Sequence, residues 1–393
     1  MSKLDWPDLE GVYAGAIASG IRPDRLDLGF LYVTGATAAA AVFTTNHFAA
    51  SSIAHSRDCL KKGVVKAIVV NSGNANAVTG SQGEADTRLM ADIAAKKLGL
   101  ETSQVMVAST GIIGVPMPMD KVSAGLEALL ADPKQRRFDT LSTAILTTDL
   151  VEKTVYVTAT IAARNVVVAG VAKGSGMIAP HMATMLAFLV TNADLTQSDL
   201  QEALSSAVKQ SFNRVSVDTD TSTNDMVTVL ANGVVKLETQ DDLGQFCSLL
   251  NQACQSLAKQ IARDGEGATR LVEVSVRGAA SNLDADQVSR QIVDSPLVKT
   301  ALYGADPNWG RLLMAIGKNP DIKMDTQKVD ISVGAVPLLK SGLPLPFDRE
   351  AVILELKSDP VVIRVNLNIG TGEGMAWGCD LTEGYIRINT KYN

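Results

Sequence analysis

NVVVAGVAKGSGMIAPHMATMLAFLV, residues 165–190, joins two apolar runs through a segment rich in glycine. Read one way, Gly174, Gly176 and Ala179 fit a loose G-x-G-x-x-G/A turn after a strand, and Asp194 follows where a ribose-binding acid would lie. That reading makes the molecule a doubly wound parallel sheet. Pro180 argues against it: inside the first turns of the required helix a proline removes an amide donor or kinks the helix, at roughly 3 kcal/mol. The flanking patterns argue the same way. TVYVTATIA (154–162) alternates, and the next residues lead straight into NVVVAGVA (165–172), which spells a hairpin. Hairpins outnumber βαβ units along the chain, so the expected fold class is α+β, a layered sandwich.

Working outward, VVKAIVV (64–70) predicts a buried strand that ends in the polar turn NSGNANA (71–77). Ser81 and Glu84 form a capping box for a helix stopped by Gly99, and Thr196 with Asp199 caps a second helix running to about Phe212. Leu243, Phe246, Leu250, Leu257 and Ile261 mark a third, amphipathic helix that ends at DGEG. LVEVSVRGA (271–279) and AVILELKSDPVVIRVNLNIG (351–370) read as strand-like segments of the final third.

The 393 residues are 46% hydrophobic and 20% charged, with a net charge of −6, so the even basic surface of a nucleic-acid binder is absent. Asp5, Asp8 and Glu10 stand where a signal peptide needs apolar residues, and no apolar run reaches bilayer length; the expected location is the cytoplasm, with no membrane partner. Cys59, Cys247, Cys254 and Cys379 form no CxxC pair and read as buried thiols. His47 and His55 lack carboxylate or cysteine companions at metal-like offsets, so no metal is expected. DTDTSTND (218–225) resembles a calcium loop in its alternate oxygens, but Thr223 replaces the needed glycine and Val229 the closing glutamate. It reads instead as a polar turn whose side chains bond nearby backbone.

Only His47, His55 and His181 are available as histidine bases. A threonine nucleophile can do without one if the chain is cut just before it, because the freed α-amine, with a reference pKa of about 7.7–8.0, accepts a proton at neutral pH. Thr184 follows the small Ala183, which leaves the scissile carbonyl accessible. From spacing alone, an ordinary internal threonine is the competing reading.

The residues favour the chemistry. KGSGMIAPHMATML closely resembles the cleavage region of the glutamate N-acetyltransferases, also called ornithine acetyltransferases, in which the run is KGxGMIxPxMATML and the cut falls between Ala and Thr. NSGNANA, ASTGIIG (108–114), TTD (147–149), DTDTSTND, DGEGATR (264–270), GADPNWGR (304–311) and YIRIN (385–389) look like further blocks of that family, in family order. The resemblance implies an αββα sandwich with the logic of N-terminal-nucleophile enzymes. It implies cleavage into an α chain, 1–183, and a β chain, 184–393, that form one intertwined body and assemble as α2β2. The implied reaction moves acetyl from N-acetyl-L-ornithine to L-glutamate in arginine biosynthesis, by a ping-pong cycle through acetylated Thr184. No cofactor is implied; acetyl-CoA is a second donor in bifunctional members.

By the same resemblance Thr110 and Gly111 stabilise the oxyanion, from a glycine-rich turn, and Thr147, Lys173, Thr184, Glu266 and Asn389 contact substrate. Physically, Lys173 suits a carboxylate and Glu266 an amino group; alone, each would read as a solvated surface charge. The family usually ends N-x-x-Y-x-S/T, whereas this chain ends NTKYN, so the role of that last hydroxyl residue is not carried to Asn393. His181 replaces the commoner Asn or Asp. Two rival readings stand: a self-cleaving DmpA-like aminopeptidase, whose family exposes serine and lacks the DPNWGR block, and an uncleaved amino-acid-binding protein of the same fold.

Overall fold

Ile68 and Val70 alternate with Ala67 and Val69 along one strand, and all four are fully buried, so this strand must be covered on both faces. That requirement gives the layers. The computed structural model describes residues 9–179 and 185–391. In chain order the elements are β1 Val12–Ile17, β2 Leu28–Val33, β3 Ala38–Phe43, α1 Ser51–Lys62, β4 Ala67–Asn74, α2 Gly80–Leu98, β5 Val105–Ile112, α3 Met119–Leu129, α4 Phe138–Ala144, β6 Lys153–Ile161, β7 Arg164–Lys173, β8 Leu186–Asp194, α5 Gln197–Lys209, β9 Val215–Ser216, β10 Met226–Lys236 and α6 Gln240–Arg263. They continue with β11 Leu271–Ala279, α7 Asn282–Val293, α8 Pro296–Tyr303, α9 Gly310–Gly317, β12 Asp330–Val333, β13 Val336–Lys340, β14 Leu343–Pro344, α10 Arg349–Leu356, β15 Val361–Asn366, β16 Gly372–Cys379 and α11 Glu383–Asn389.

The described residues divide into two compact units, the first made of residues 9–174, 185–213 and 220–257, the second of 175–179, 214–219 and 258–391. Both contain residues from either side of position 183/184. The first unit holds two sheets, β1-β2-β4-β5 and β3-β10-β8-β7-β6. Ile68 and Val70 of β4, Met106 of β5, Val167 and Val171 of β7 and Phe188 of β8 fill the layer between them. Ala67, Val69 and Val107 turn the other way, against Met90 and Ala94 of α2 and Leu126 of α3. Helix α5 packs on β3 and β10 through the side of the helix that carries buried Leu200 and Leu204. This is the expected αββα sandwich.

The second unit is a mixed sheet of its own, β14-β13-β12-β15-β11-β16-β9, with α7 packed on β11 and β16 and α9 on α7. Val274, Val276, Ile363 and Val365 face Val288, Ile292 and Ile316 in its core.

Several local expectations change. The strand expected to end at 70 continues through Asn74, because β5 pairs alongside it as far as Ile112 and satisfies the polar stretch. Helix α2 starts at Gly80 without the expected Ser81 capping box; Thr79, the residue before it, donates to Asn76 Oδ1 instead. Helix α5 stops at Lys209 rather than Phe212, which belongs to a short 3-10 turn. Residues 351–356, read as strand, are helical: Asp348 accepts the Glu350 N–H and starts α10, and only 361–366 form a strand.

The hairpin of β6 and β7 turns through Ala162 and Ala163, both left-handed, at φ 51° and 58°. That conformation costs an L-residue roughly 1–2 kcal/mol, and the favoured pair for two such positions is Asn-Gly. Ala162→Asn combined with Ala163→Gly should therefore stabilise the protein by about 1 kcal/mol, seen as a higher urea midpoint at unchanged slope.

Candidate active site

Strand β8 starts with neighbours on both sides. Leu186 pairs with Lys173 at the end of antiparallel β7 and with Met226 at the start of parallel β10, and Met226 pairs in turn with Phe43 of β3. One row across the sheet thus carries Lys173 beside the first residues of β8. Ala183, Thr184 and His181 lie outside the described residues; Met185 is the first residue described after them.

Lys173 and Thr147, predicted separately from sequence, share a buried acid, Asp149, the last residue of TTD. Asp149 Oδ1 accepts the Lys153 Nζ proton at 2.8 Å and the Gly174 N–H at 2.6 Å, while Oδ2 accepts the Thr147 N–H at 3.0 Å. The Asp149 and Lys153 side chains are sealed from solvent, and Lys173 is buried rather than a solvated surface charge. Burial pushes the Asp149 carboxyl up, but the charges of Lys173 and Lys153 and the N–H donors outweigh it and hold the group well below the usual carboxylate range.

Thr110 and Gly111 do not form a turn; they are strand residues near the end of β5, opposite Ser72 and Gly73 of β4. Gly111 has φ 137°, and a Cβ there would lie 2.3 Å from the Gly73 carbonyl carbon, so the two backbones approach too closely for any side chain. Thr110 is buried. DTDTSTND meets its expectation only in part: Ser222 Oγ accepts the Asn224 N–H at 3.1 Å within the segment, while other side chains bond distant backbone. Asn224 Nδ2 donates to Ala75 O at 2.6 Å and to Ser109 O at 2.9 Å, within the first unit. In the second unit the Asp218 carboxylate accepts the N–H groups of Met177 at 2.6 Å and Ile178 at 2.8 Å.

The second unit also brings together two predicted substrate residues. Asn389 Nδ2 donates to Glu266 Oε2 at 2.7 Å. The Glu266 N–H donates to Ser175 O at 2.9 Å, and Ser175 Oγ to Asp264 O at 2.7 Å. A Cβ on Gly176 would meet the Glu266 carboxyl carbon at 2.3 Å. The second glycine of KGSG therefore makes room for a carboxylate, which is the wrong charge for a phosphate cradle. Among the described residues no cluster of His, Cys, Asp and Glu is arranged to hold a metal ion, and no helix is long and apolar enough to cross a membrane.

The model of the ArgJ family matches residues 13–393. The chain belongs to the ArgJ family. It is 44% identical over 388 residues to the arginine biosynthesis bifunctional protein ArgJ of Geobacillus kaustophilus, covering 98% of this chain and 94% of that protein. Among solved structures it resembles the arginine biosynthesis bifunctional protein of Bacillus halodurans, at 50% identity and a TM-score of 0.50, with 52% of this chain and 97% of that chain covered. An ornithine acetyltransferase of Mycobacterium tuberculosis, solved with ornithine, matches at 33% identity and a TM-score of 0.38, covering 44% of this chain and 92% of that one.

Asp149→Ala removes the carboxylate from between two buried ammonium groups of this ArgJ-family chain and should cost about 3–5 kcal/mol, read as a lowered urea midpoint. Acid should act in the same direction. The folded pKa of Asp149 lies below its unfolded value of about 3.9, so its contribution is complete above roughly pH 4 and is lost as pH falls toward the folded value. In Asp149→Asn that part of the stability–pH curve should flatten.

Proposed function

We propose that this chain transfers an acetyl group from N-acetylornithine to glutamate through an ester on Thr184, after cutting itself between Ala183 and Thr184. Membership of the ArgJ family over nearly the whole length supports the acetyl-transfer reading. The start of a central strand at Leu186, beside buried Lys173, is the geometric observation that carries it. The solved B. halodurans chain is covered to 97% by only 52% of this one, so it is about half as long. A chain cut near its middle, as one cut at 183/184 would be, has that proportion.

The chemistry follows from the nucleophile. Thr184 Oγ attacks the Ala183 carbonyl, the C–N bond breaks, and the amine takes up the hydroxyl proton. Water then hydrolyses the resulting ester and leaves Thr184 with a free α-amine. In transfer, that amine takes the Oγ proton as Oγ attacks the acetyl carbonyl of N-acetylornithine, and ornithine leaves with the proton. The glutamate amine attacks the acetyl-threonine ester, N-acetylglutamate leaves, and the hydroxyl is restored. Thr110 and the Gly111 N–H supply oxyanion donors, and Thr147, Lys173, Glu266 and Asn389 supply substrate contacts. The relatives are named bifunctional, and we extend acetyl-CoA to this chain as a second donor. The working form in this proposal is a cytoplasmic α2β2 assembly.

Intact mass of the purified protein should show two fragments meeting at 183/184, and a single persistent full-length species would sink the proposal. Thr184→Ala should block the cut and lower acetyl transfer by about a thousandfold or more. Thr110→Val removes one hydroxyl donor and should lower kcat by about 10²–10³-fold with KM little changed, measured with N-acetylornithine as donor.

A further inference from the structure

Asp225 is fully buried immediately before β10. Its Oδ1 accepts the Met185 N–H at 2.9 Å, and its carbonyl accepts the Thr44 N–H at 3.0 Å. Its Oδ2 is buried with no hydrogen-bond partner among the described residues. Such an oxygen is costly and calls for an explanation. Asn224, one residue back, reaches in another direction, to Ala75 O and to Ser109 O, the carbonyl next to Thr110. Two consecutive side chains thus hold the first residue described after Thr184 and the end of β5.

We propose that Asn224 and Asp225 are positioning residues that set the start of β8 against the Thr110–Gly111 end of β5. The proposal rests on the reading of Thr184 as nucleophile. Met185 follows Thr184 directly in the chain, and the bond to its N–H holds the described residue next to the nucleophile. The Ser109 carbonyl belongs likewise to the peptide that leads into Thr110. Neither side chain needs to touch substrate. A misplacement of about 1 Å between nucleophile and oxyanion donors can cost roughly 10²-fold in rate, which is the scale of effect expected from losing either anchor.

The surroundings indicate in what form Asp225 acts. Burial pushes its carboxyl well above the usual range, against the Met185 N–H and the charge of Lys173, which pull it down. A neutral carboxyl keeps one oxygen as acceptor for Met185 and turns the other into a donor. Asparagine reproduces that pattern in the same volume, whereas alanine keeps none of it.

The test is a cleavage time course by intact mass on freshly synthesised full-length protein, run well below the unfolding temperature of every variant. Asp225→Ala should slow the cut by at least about tenfold, and Asp225→Asn should recover most of that loss, to within about threefold of the wild-type rate. Asn224→Ala should also slow the cut; in its cleaved fraction kcat should fall at least about tenfold while KM for N-acetylornithine stays within about twofold. If Asp225→Ala fails to fold, Asp225→Asn and Asn224→Ala still decide. Wild-type speed in Asp225→Ala or Asn224→Ala overturns the proposal, as does Asp225→Asn as slow as Asp225→Ala, which would make Asp225 a titrating base. A KM that rises at constant kcat overturns it too. A wild-type chain that never cuts removes the Thr184 reading and this pair with it; a wild type that cuts beside indifferent variants removes only the pair.

Discussion

Hydrogen bonds on both edges of β8, antiparallel to β7 and parallel to β10, fix where that strand begins. A slip of one residue would turn Leu186, Phe188 and Val190 out of the layer between the sheets, so the apolar pattern and the two ladders enforce the same register. Lys173, Leu186 and Met226 are consequently held in one row by the two ladders. A chemistry that depends on one hydroxyl, as proposed for Thr184, gains most when the strand that follows it has no alternative register.

The buried charges around that row belong to a second layer of the same constraint. Taking Lys153 and Asp149 out of water is expensive, and a well-packed apolar pair would serve stability at least as well. Their retention makes sense as geometry. One carboxylate reaches a lysine ammonium, the amide after Lys173 and the amide of Thr147 together, which no apolar side chain could do. Asp225, nearby in the same unit, shows the opposite treatment of an acid, with burial dominant and the carboxyl pushed up. Two aspartates of one unit are therefore driven in opposite directions by their surroundings.

Much of this was legible in the sequence where the signal is local. The β6–β7 hairpin, the Gly99 stop of α2, the Thr196 cap of α5 and the long amphipathic α6 depend on residues a few positions apart, and each is found. What failed depends on partners far along the chain. NSGN looks like a turn until β5 lies beside it, and residues 351–356 look like strand until Asp348 caps them as helix. The site divides in the same way. Lys173, Thr147, Glu266 and Asn389 could be named from motifs, but the Asp149 hub and the reach of Asn224 to Ser109 appear only once distant segments meet. The division into two units, each drawing on both sides of position 183/184, has no composition signal at all.

That interleaving bears on how the protein could be rebuilt after denaturation. Strands β7 and β8 pair from Val168 to Lys173 against Leu186 to Thr191, and they lie on opposite sides of position 183/184. An uncut chain recovers this ladder by closing a short loop, a first-order event. In a cut chain the same ladder joins two separate polypeptides, each left with an open sheet edge and an uncovered apolar face when alone. Renaturation then becomes second order, and its half-time depends on protein concentration. Maturation would convert a chain able to find its fold at any dilution into one that keeps that fold only as long as it never comes apart.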